Sequence, residues 1–288
     1  MILENDFIKA AFRTKGAELI SIYNKKTQLE YLWNGNPAFW AKHSPVLFPI
    51  VGSLKENHYL FEGQSYSLSR HGFARDSEFE VESNTGNNLV FYLGDSPETQ
   101  AVYPFKFEFR IQYTLVENTL IVSYLVENPG QKDLLFSVGG HPAFQVPLVG
   151  GTAYEDYYLE FDQTEDLKHW PLADNGLIES EPVLLRANTS RLPLTHELFY
   201  EDALVFKQLN ATHITLKSDK TPHQLAFHFE NFPFLGIWAA PNAPFVCIEP
   251  WCGIADSVKH DQNLETKEGI NRLAPTATFK RNWSISLT

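Results

Sequence analysis

The sequence predicts an all-β protein built as a large antiparallel β-sandwich, and three observations carry that prediction. The 288 residues include 22 Phe, 12 Tyr and 6 Trp beside a single Met, and flat or branched side chains suit a pleated surface. Short apolar runs alternate with polar positions and stop at Asn, Gly or Pro, the pattern of half-buried strands closed by turns. Helical spacing is confined to two short stretches, 97–103 and 195–201. There is no internal repeat, low-complexity tract or linker, so residues 1–288 read as a single domain.

The first 35 residues read as a β-meander. Apolar alternation over 7–12, 17–23 and 29–33 is interrupted at Asn24-Lys25-Lys26 and Asn34-Gly35-Asn36-Pro37, residues that favour turns. From 37 to 75 the pattern breaks around Pro37, Pro45, Pro49, Gly52, Gly63 and Gly72, and a loop of that length is usually functional. Strands resume at 78–83, 88–93, 105–115, 119–128 and 133–138. Glu117-Asn118 and Asn128-Pro129-Gly130 join the last three as antiparallel neighbours. Segment 150–200 reads as surface loops with small strands. Further strands are expected at 203–207, 213–217, 224–229, 234–239, 245–249 and 278–287.

Composition narrows the function. A formal net charge of −12 disfavours nucleic acid and anionic membrane as partners, since both need a basic face. Only Cys247 and Cys252 are present, which gives no disulfide framework and no usual zinc spacing. The N-terminus lacks the basic region and apolar core of a signal peptide, and no apolar run is long enough to span a bilayer. The expectation is a cytoplasmic protein, monomer or homodimer. Motifs for a nucleotide, flavin or dedicated metal are missing, so no cofactor and no metal are expected.

Four stretches concentrate chemistry. In 245-FVCIE-249 the residues Phe245, Cys247 and Glu249 share one face of a strand. Pro250 cannot donate to a sheet ladder, so pairing is expected to end there with Glu249 at a rim; a carboxylate in such a place is ordinarily just solvated. In 137-SVGGHPAF-144 two glycines permit close backbone approach, and Pro142 holds His141 extended. That histidine is either a turn residue or a rigidly presented acid–base group. The loop 69-SRHGFARD-76 gathers His71, Arg75 and Asp76, as a binding fork or as a surface ion pair. Glu201 and Asp202 precede a strand and need no function on their own. Two histidines, an arginine and carboxylates in an aromatic β protein suggest acid–base chemistry on a small-molecule sugar, with Trp40, Trp238 and Trp251 as stacking surfaces.

The order of 48-FPIVGSLKENHYLFEGQSYSLSRHGFARD-76, 139-GGHPAFQVP-147, 201-EDALVF-206 and 247-CIEPWCG-253 resembles the aldose 1-epimerase (galactose mutarotase) family, closest to its LacX-type bacterial branch. The resemblance implies a galactose mutarotase-like supersandwich and a cofactor-independent isomerase that interconverts the α and β anomers of a hexose. Glu249 would take the proton from the C1 hydroxyl and His141 would protonate the ring oxygen. His71 would help hold the sugar, and Asp202 would bind its hydroxyls. Two departures bear on substrate. Lys55 stands where sugar mutarotases carry an arginine, and a point charge does not replace a planar fork. His71-Gly72-Phe73-Ala74-Arg75 looks like the branch with hexose-6-phosphate 1-epimerases, which would set Arg75, with Lys55 or Arg70, against a phosphate. The competing readings are a non-catalytic sugar-binding protein on the same scaffold, and a glycoside hydrolase pairing Glu249 with Asp202 or Asp76.

Overall fold

Alternation in the sequence becomes alternation of burial. The structure, a computed structural model, describes residues 1–288. In Glu108–Val116 and Thr119–Glu127 every second side chain is buried along most of the strand, and Thr278–Leu287 does the same over its second half. This is the period-two pattern of a sheet with one face on a core. Those two strands form a hairpin closed at Val116↔Thr119, with Glu117 at φ 50° in the turn, as Glu117-Asn118 predicts.

Fifteen strands share one sheet, all paired antiparallel. From one edge the order is Val46–Leu47, Val138–Gly140, Phe245–Cys252, Phe234–Trp238, Leu204–Lys207 and Tyr157–Trp170, then His213–Ser218 and Thr221–His228. It continues through Thr278–Leu287, Thr119–Glu127, Glu108–Val116 and Asn88–Gly94 to Glu80–Asn84, with Ala143–Gln145 and Val183–Pro193 paired beside this path. The two ends face each other: Phe48, beside the first strand, stacks on Phe109 with ring centres 4.5 Å apart. One cluster of 71 buried residues, from Leu3 to Leu287, fills the space between. The N-terminal meander forms a separate four-stranded sheet, with Phe12 against Tyr113 at 4.5 Å. The architecture is the predicted large antiparallel sandwich. Pro97–Val102 is helical, and His196–Phe199 forms a 3₁₀ turn.

Several expectations fail. The run 133–138 does not lie beside Thr119–Glu127: Leu134–Phe136 pairs with Asn271–Leu273, and Val138–Gly140 with Val46–Leu47 and Phe245–Cys252, so Asn128-Pro129-Gly130 turns the chain out of the hairpin plane. The 37–75 loop holds a small hairpin, His58–Phe61 with Gln64–Ser67. Segment 150–200 holds the two longest strands, Tyr157–Trp170 and Val183–Pro193. They pair as a hairpin with several register shifts, and Val183–Pro193 buries only Leu192. A strand with solvent on most of its surface carries no apolar alternation to read. The Glu249 strand also does not end at Pro250 but runs to Cys252. On one side it pairs continuously with Phe234–Trp238, Leu235 lying opposite Pro250. On the other it pairs first with Ala143–Gln145 and then with Val138–Gly140. Residues 248–250 fall in the gap between those partners, where a proline forfeits no ladder bond.

Candidate active site

That gap builds the site. Ala143 lies opposite Cys247, and Gly139 opposite Trp251. Continuing this register across His141-Pro142 puts His141 opposite Glu249, and directly opposite residues in an antiparallel pair point to the same face. His141 Nε2 lies 3.3 Å from Glu249 Oε2. Both side chains are buried, Glu249 to 1% residual exposure and His141 to 8%. The glycines make room: a Cβ on Gly139 would stand 2.7 Å from the Trp251 ring and one on Gly236, opposite Glu249, 2.5 Å from it. Trp251 therefore lies flush against the sheet beside the carboxylate.

His71 arrives from the long loop with φ 71°, in the left-handed region, which bulky residues enter only when their surroundings hold them. Its backbone N–H donates to Gly52 O at 2.9 Å, and Gly52 N–H donates to His71 Nδ1 at 3.1 Å. A backbone N–H is always a donor, so Nδ1 carries the lone pair and the neutral ring carries its proton on Nε2. The ring sits edge-on to His141, centroids 5.7 Å apart. Trp40 stacks on His141 at 4.9 Å and Trp238 meets it edge-on at 5.6 Å, so three rings box in the imidazole.

Trp40, Arg70, His71, Arg75, His141, Asp202, Ala203, Trp238, Glu249 and Trp251 line a cavity of about 340 Å³, at the small end of ligand pockets (roughly 300–1,000 Å³). Asp202, at φ 95°, accepts from Ala203 N–H at 2.8 Å. Its two oxygens also accept from Arg70 Nη1 and Nη2 at 3.2 and 3.4 Å. Arg75 Nη2 donates to Arg70 O at 2.8 Å, and its Nε lies 3.6 Å from Asp76.

Desolvation dominates the electrostatics. Burial raises the Glu249 carboxyl well above the ordinary range; Asp202 adds to that shift and Arg70 opposes it. Burial first, then Arg70, lowers His141 to about 3, and burial with His141 and the arginines drives His71 well below neutrality. These shifts put the proton on Glu249 and keep both imidazoles neutral. Glu249 Oε2 and His141 Nδ1 are buried without hydrogen-bond partners, a tension expected of working groups rather than of scaffold.

Of the residues predicted for the site, Glu249, His141, His71, Arg75, Asp202 and Trp238 converge here. Lys55 does not. Its Nζ donates to the carbonyls of Val258 at 3.2 Å and His260 at 3.0 Å, binding two loops together away from the cavity, because a long ammonium stem is readily captured by free carbonyl oxygens. Asp76 faces Lys42 at 3.2 Å, outside the cavity lining. Arg70 emerges as the partner of Asp202, a contact across 132 positions that no local signal announces.

The sequence profile of the aldose 1-epimerase family matches residues 1–270. The protein belongs to the aldose 1-epimerase family. Protein LacX of Lactococcus lactis subsp. lactis is 34% identical to it over 99% of this chain and 98% of its own length. Among solved structures, a galactose mutarotase related enzyme from Lactobacillus acidophilus superposes with a TM-score of 0.95 at 38% identity, covering 100% of this chain and 97% of the other. A galactose mutarotase-like protein from Lactobacillus casei gives 0.94 at 30% identity, covering 100% and 99%. As an aldose 1-epimerase family member, the chain carries the galactose mutarotase-like fold and belongs with carbohydrate epimerases. No helix is long and apolar enough to cross a membrane.

Proposed function

We propose that this protein is a cofactor-independent aldose 1-epimerase working as one domain over residues 1–288, with Glu249 and His141 as its acid–base pair. The observation that carries the reading is the buried 3.3 Å contact between them at the wall of a sugar-sized cavity. Opening a hemiacetal removes a proton from the C1 hydroxyl and delivers one to the ring oxygen; the C1–C2 bond then rotates, and reclosure reverses the transfers. Two groups sharing one proton suffice for that cycle.

Without sugar the pair holds its proton on Glu249. Sugar hydroxyls that hydrogen-bond the charged forms favour its shift across 3.3 Å to carboxylate and imidazolium, the state in which Glu249 accepts from O1 and His141 donates to the ring oxygen. His71, with its proton fixed on Nε2, adds a neutral donor. Asp202 and Arg70 offer a rigid acceptor–donor edge for hydroxyls, and Trp40 and Trp238 offer apolar faces for the sugar ring.

Two guanidinium groups on one wall favour a second reading, a hexose 6-phosphate. The free sugar fits better because Asp202 already occupies the Arg70 fork and Asp76 lies beside Arg75. Anomer exchange followed by NMR on glucose, galactose and their 6-phosphates tests both. Glu249-dependent exchange of the free sugars is expected. Exchange confined to the phosphates would replace that substrate, and binding without exchange above the buffer rate would leave a sugar-binding protein.

A further inference from the structure

The strand that carries Glu249 presents another donor on the same face. Cys247 stands two residues earlier, so its thiol points the same way as the carboxylate, and it is fully buried. One donor atom each from His141, Cys247 and Glu249 lies within 4.8 Å of the others. Within this set Glu249 Oε2 has no hydrogen-bond partner, and the Glu249 side chain is only 2% exposed.

We propose that His141, Cys247 and Glu249 form a binding site for a thiophilic divalent cation of the zinc class, and that the bound ion silences the acid–base pair. The consequence for rate rests on the epimerase reading; the site itself does not. Imidazole nitrogen, thiolate sulfur and carboxylate oxygen are the three donors zinc combines most often, with a fourth position left to solvent or a sugar hydroxyl. Magnesium and calcium call for several oxygens and find one carboxylate here. Tetrahedral zinc separates its ligand atoms by about 3.3–3.8 Å, from bonds of about 2.0–2.3 Å. The His141–Glu249 spacing already fits, and the thiol lies within 4.8 Å of both donors.

Charge balance favours occupancy in so dry a place. A metal-bound sulfur is a thiolate and a metal-bound carboxyl a carboxylate, so a dication entering forms metal–sulfur and metal–oxygen bonds and releases to solvent the thiol proton and any proton on the carboxyl, while His141 contributes a lone pair. Two anionic ligands then answer the two charges of the ion. Nothing is oxidised. The ion occupies the lone pairs that proton transfer needs, so metal and catalysis exclude each other.

Cobalt(II) titration of the full chain tests this without any sugar. One equivalent is expected to bind with a sulfur-to-cobalt charge-transfer band, the mark of a thiolate ligand. Zinc should suppress anomer exchange, and EDTA should restore it. Cys247→Val and Cys247→Ala, which leave the proposed acid–base pair in place, should keep the EDTA-treated rate while binding metal roughly 100-fold more weakly, about one ligand's share of a zinc site. Absence of the charge-transfer band in the wild type overturns the site, as does equal zinc inhibition of wild type and both variants. Should no sugar exchange above the buffer rate, the epimerase reading falls, and the charge-transfer band still decides the metal site.

Discussion

The protein buries two acid–base pairs, and they are handled in opposite ways. Asp256 and Lys267 are closed off from solvent, with Nζ 2.6 Å from Oδ1. The other carboxylate oxygen accepts from Lys55 N–H at 2.9 Å, and Asp256 N–H donates to Ser53 O at 2.9 Å. This pair joins the loop after the Glu249 strand to the segment that holds Gly52, and through Gly52 it bears on His71. His141 and Glu249 are also buried, His141 with a tenth of its side chain open to the cavity, yet they sit a little farther apart with a lone atom on each left unpartnered. A buried ion pair is tolerable when every lone pair is answered. The unanswered one is kept neutral instead and remains ready to exchange its proton.

Substitutions at each pair should therefore have opposite signatures. Glu249→Gln is expected to lower the anomer-exchange rate by at least ~10²–10⁴, the worth of a proton-transfer group, while thermal unfolding stays at or above the wild-type temperature because a neutral isostere removes the cost of holding the buried carboxyl protonated. Near-wild-type exchange would end the assignment. Lys267→Met should do the reverse, costing about 3–5 kcal/mol by stranding Asp256, read as a fall in unfolding temperature. Sugar affinity in the folded fraction should change little. An unchanged melting temperature would show that the Asp256 clasp is not a structural tie.

pH separates the pairs further. His141, neutral until about pH 3 in the fold, titrates near 6.5 when unfolded. The unfolded chain therefore binds more protons between those limits, and stability falls as pH falls through that window. Glu249 works in the other direction: raised in the fold, it makes stability decline as pH rises from the unfolded carboxyl value. Chemical denaturation across pH should show His141→Gln flattening the acid side and Glu249→Gln flattening the alkaline side. Parallel curves for all three proteins would contradict the burial argument. The smallest effect is expected at Asp202→Asn. It should raise KM for free sugars by about tenfold, roughly one charged hydrogen bond, with kcat little altered; a loss confined to kcat would move Asp202 into the proton chemistry.

Much of this contrast was legible in the chain, but not its cause. Alternation in 245-FVCIE-249 places Glu249 on the face of Cys247, and Gly139-Gly140 before His141 signals close backbone approach. Burial of Glu249 was hidden because Pro250 ordinarily ends pairing, and only the switch of partner strands makes the proline harmless. Asp256 and Lys267 left no trace, since an Asp and a Lys eleven positions apart in a loop look like any solvated pair. Lys55 misled for a related reason: resemblance supplies a position in a motif, whereas free carbonyls of a folded loop decide where a flexible ammonium goes. The hairpin of Tyr157–Trp170 and Val183–Pro193 was unreadable because its outer strand buries so little.

The strand Thr278–Leu287 lies inside the large sheet, between Thr221–His228 and Thr119–Glu127, although it follows both by long stretches of sequence. Until it docks, two inner strands expose unpaired edges, and the core cluster lacks Trp283, Ile285 and Leu287. A folding chain can thus complete the wall that carries Glu249 and still be unable to close the sandwich around it. Docking of one distant strand rather than local propensity closes the fold, and an intermediate without it is the species most exposed to edge-to-edge association.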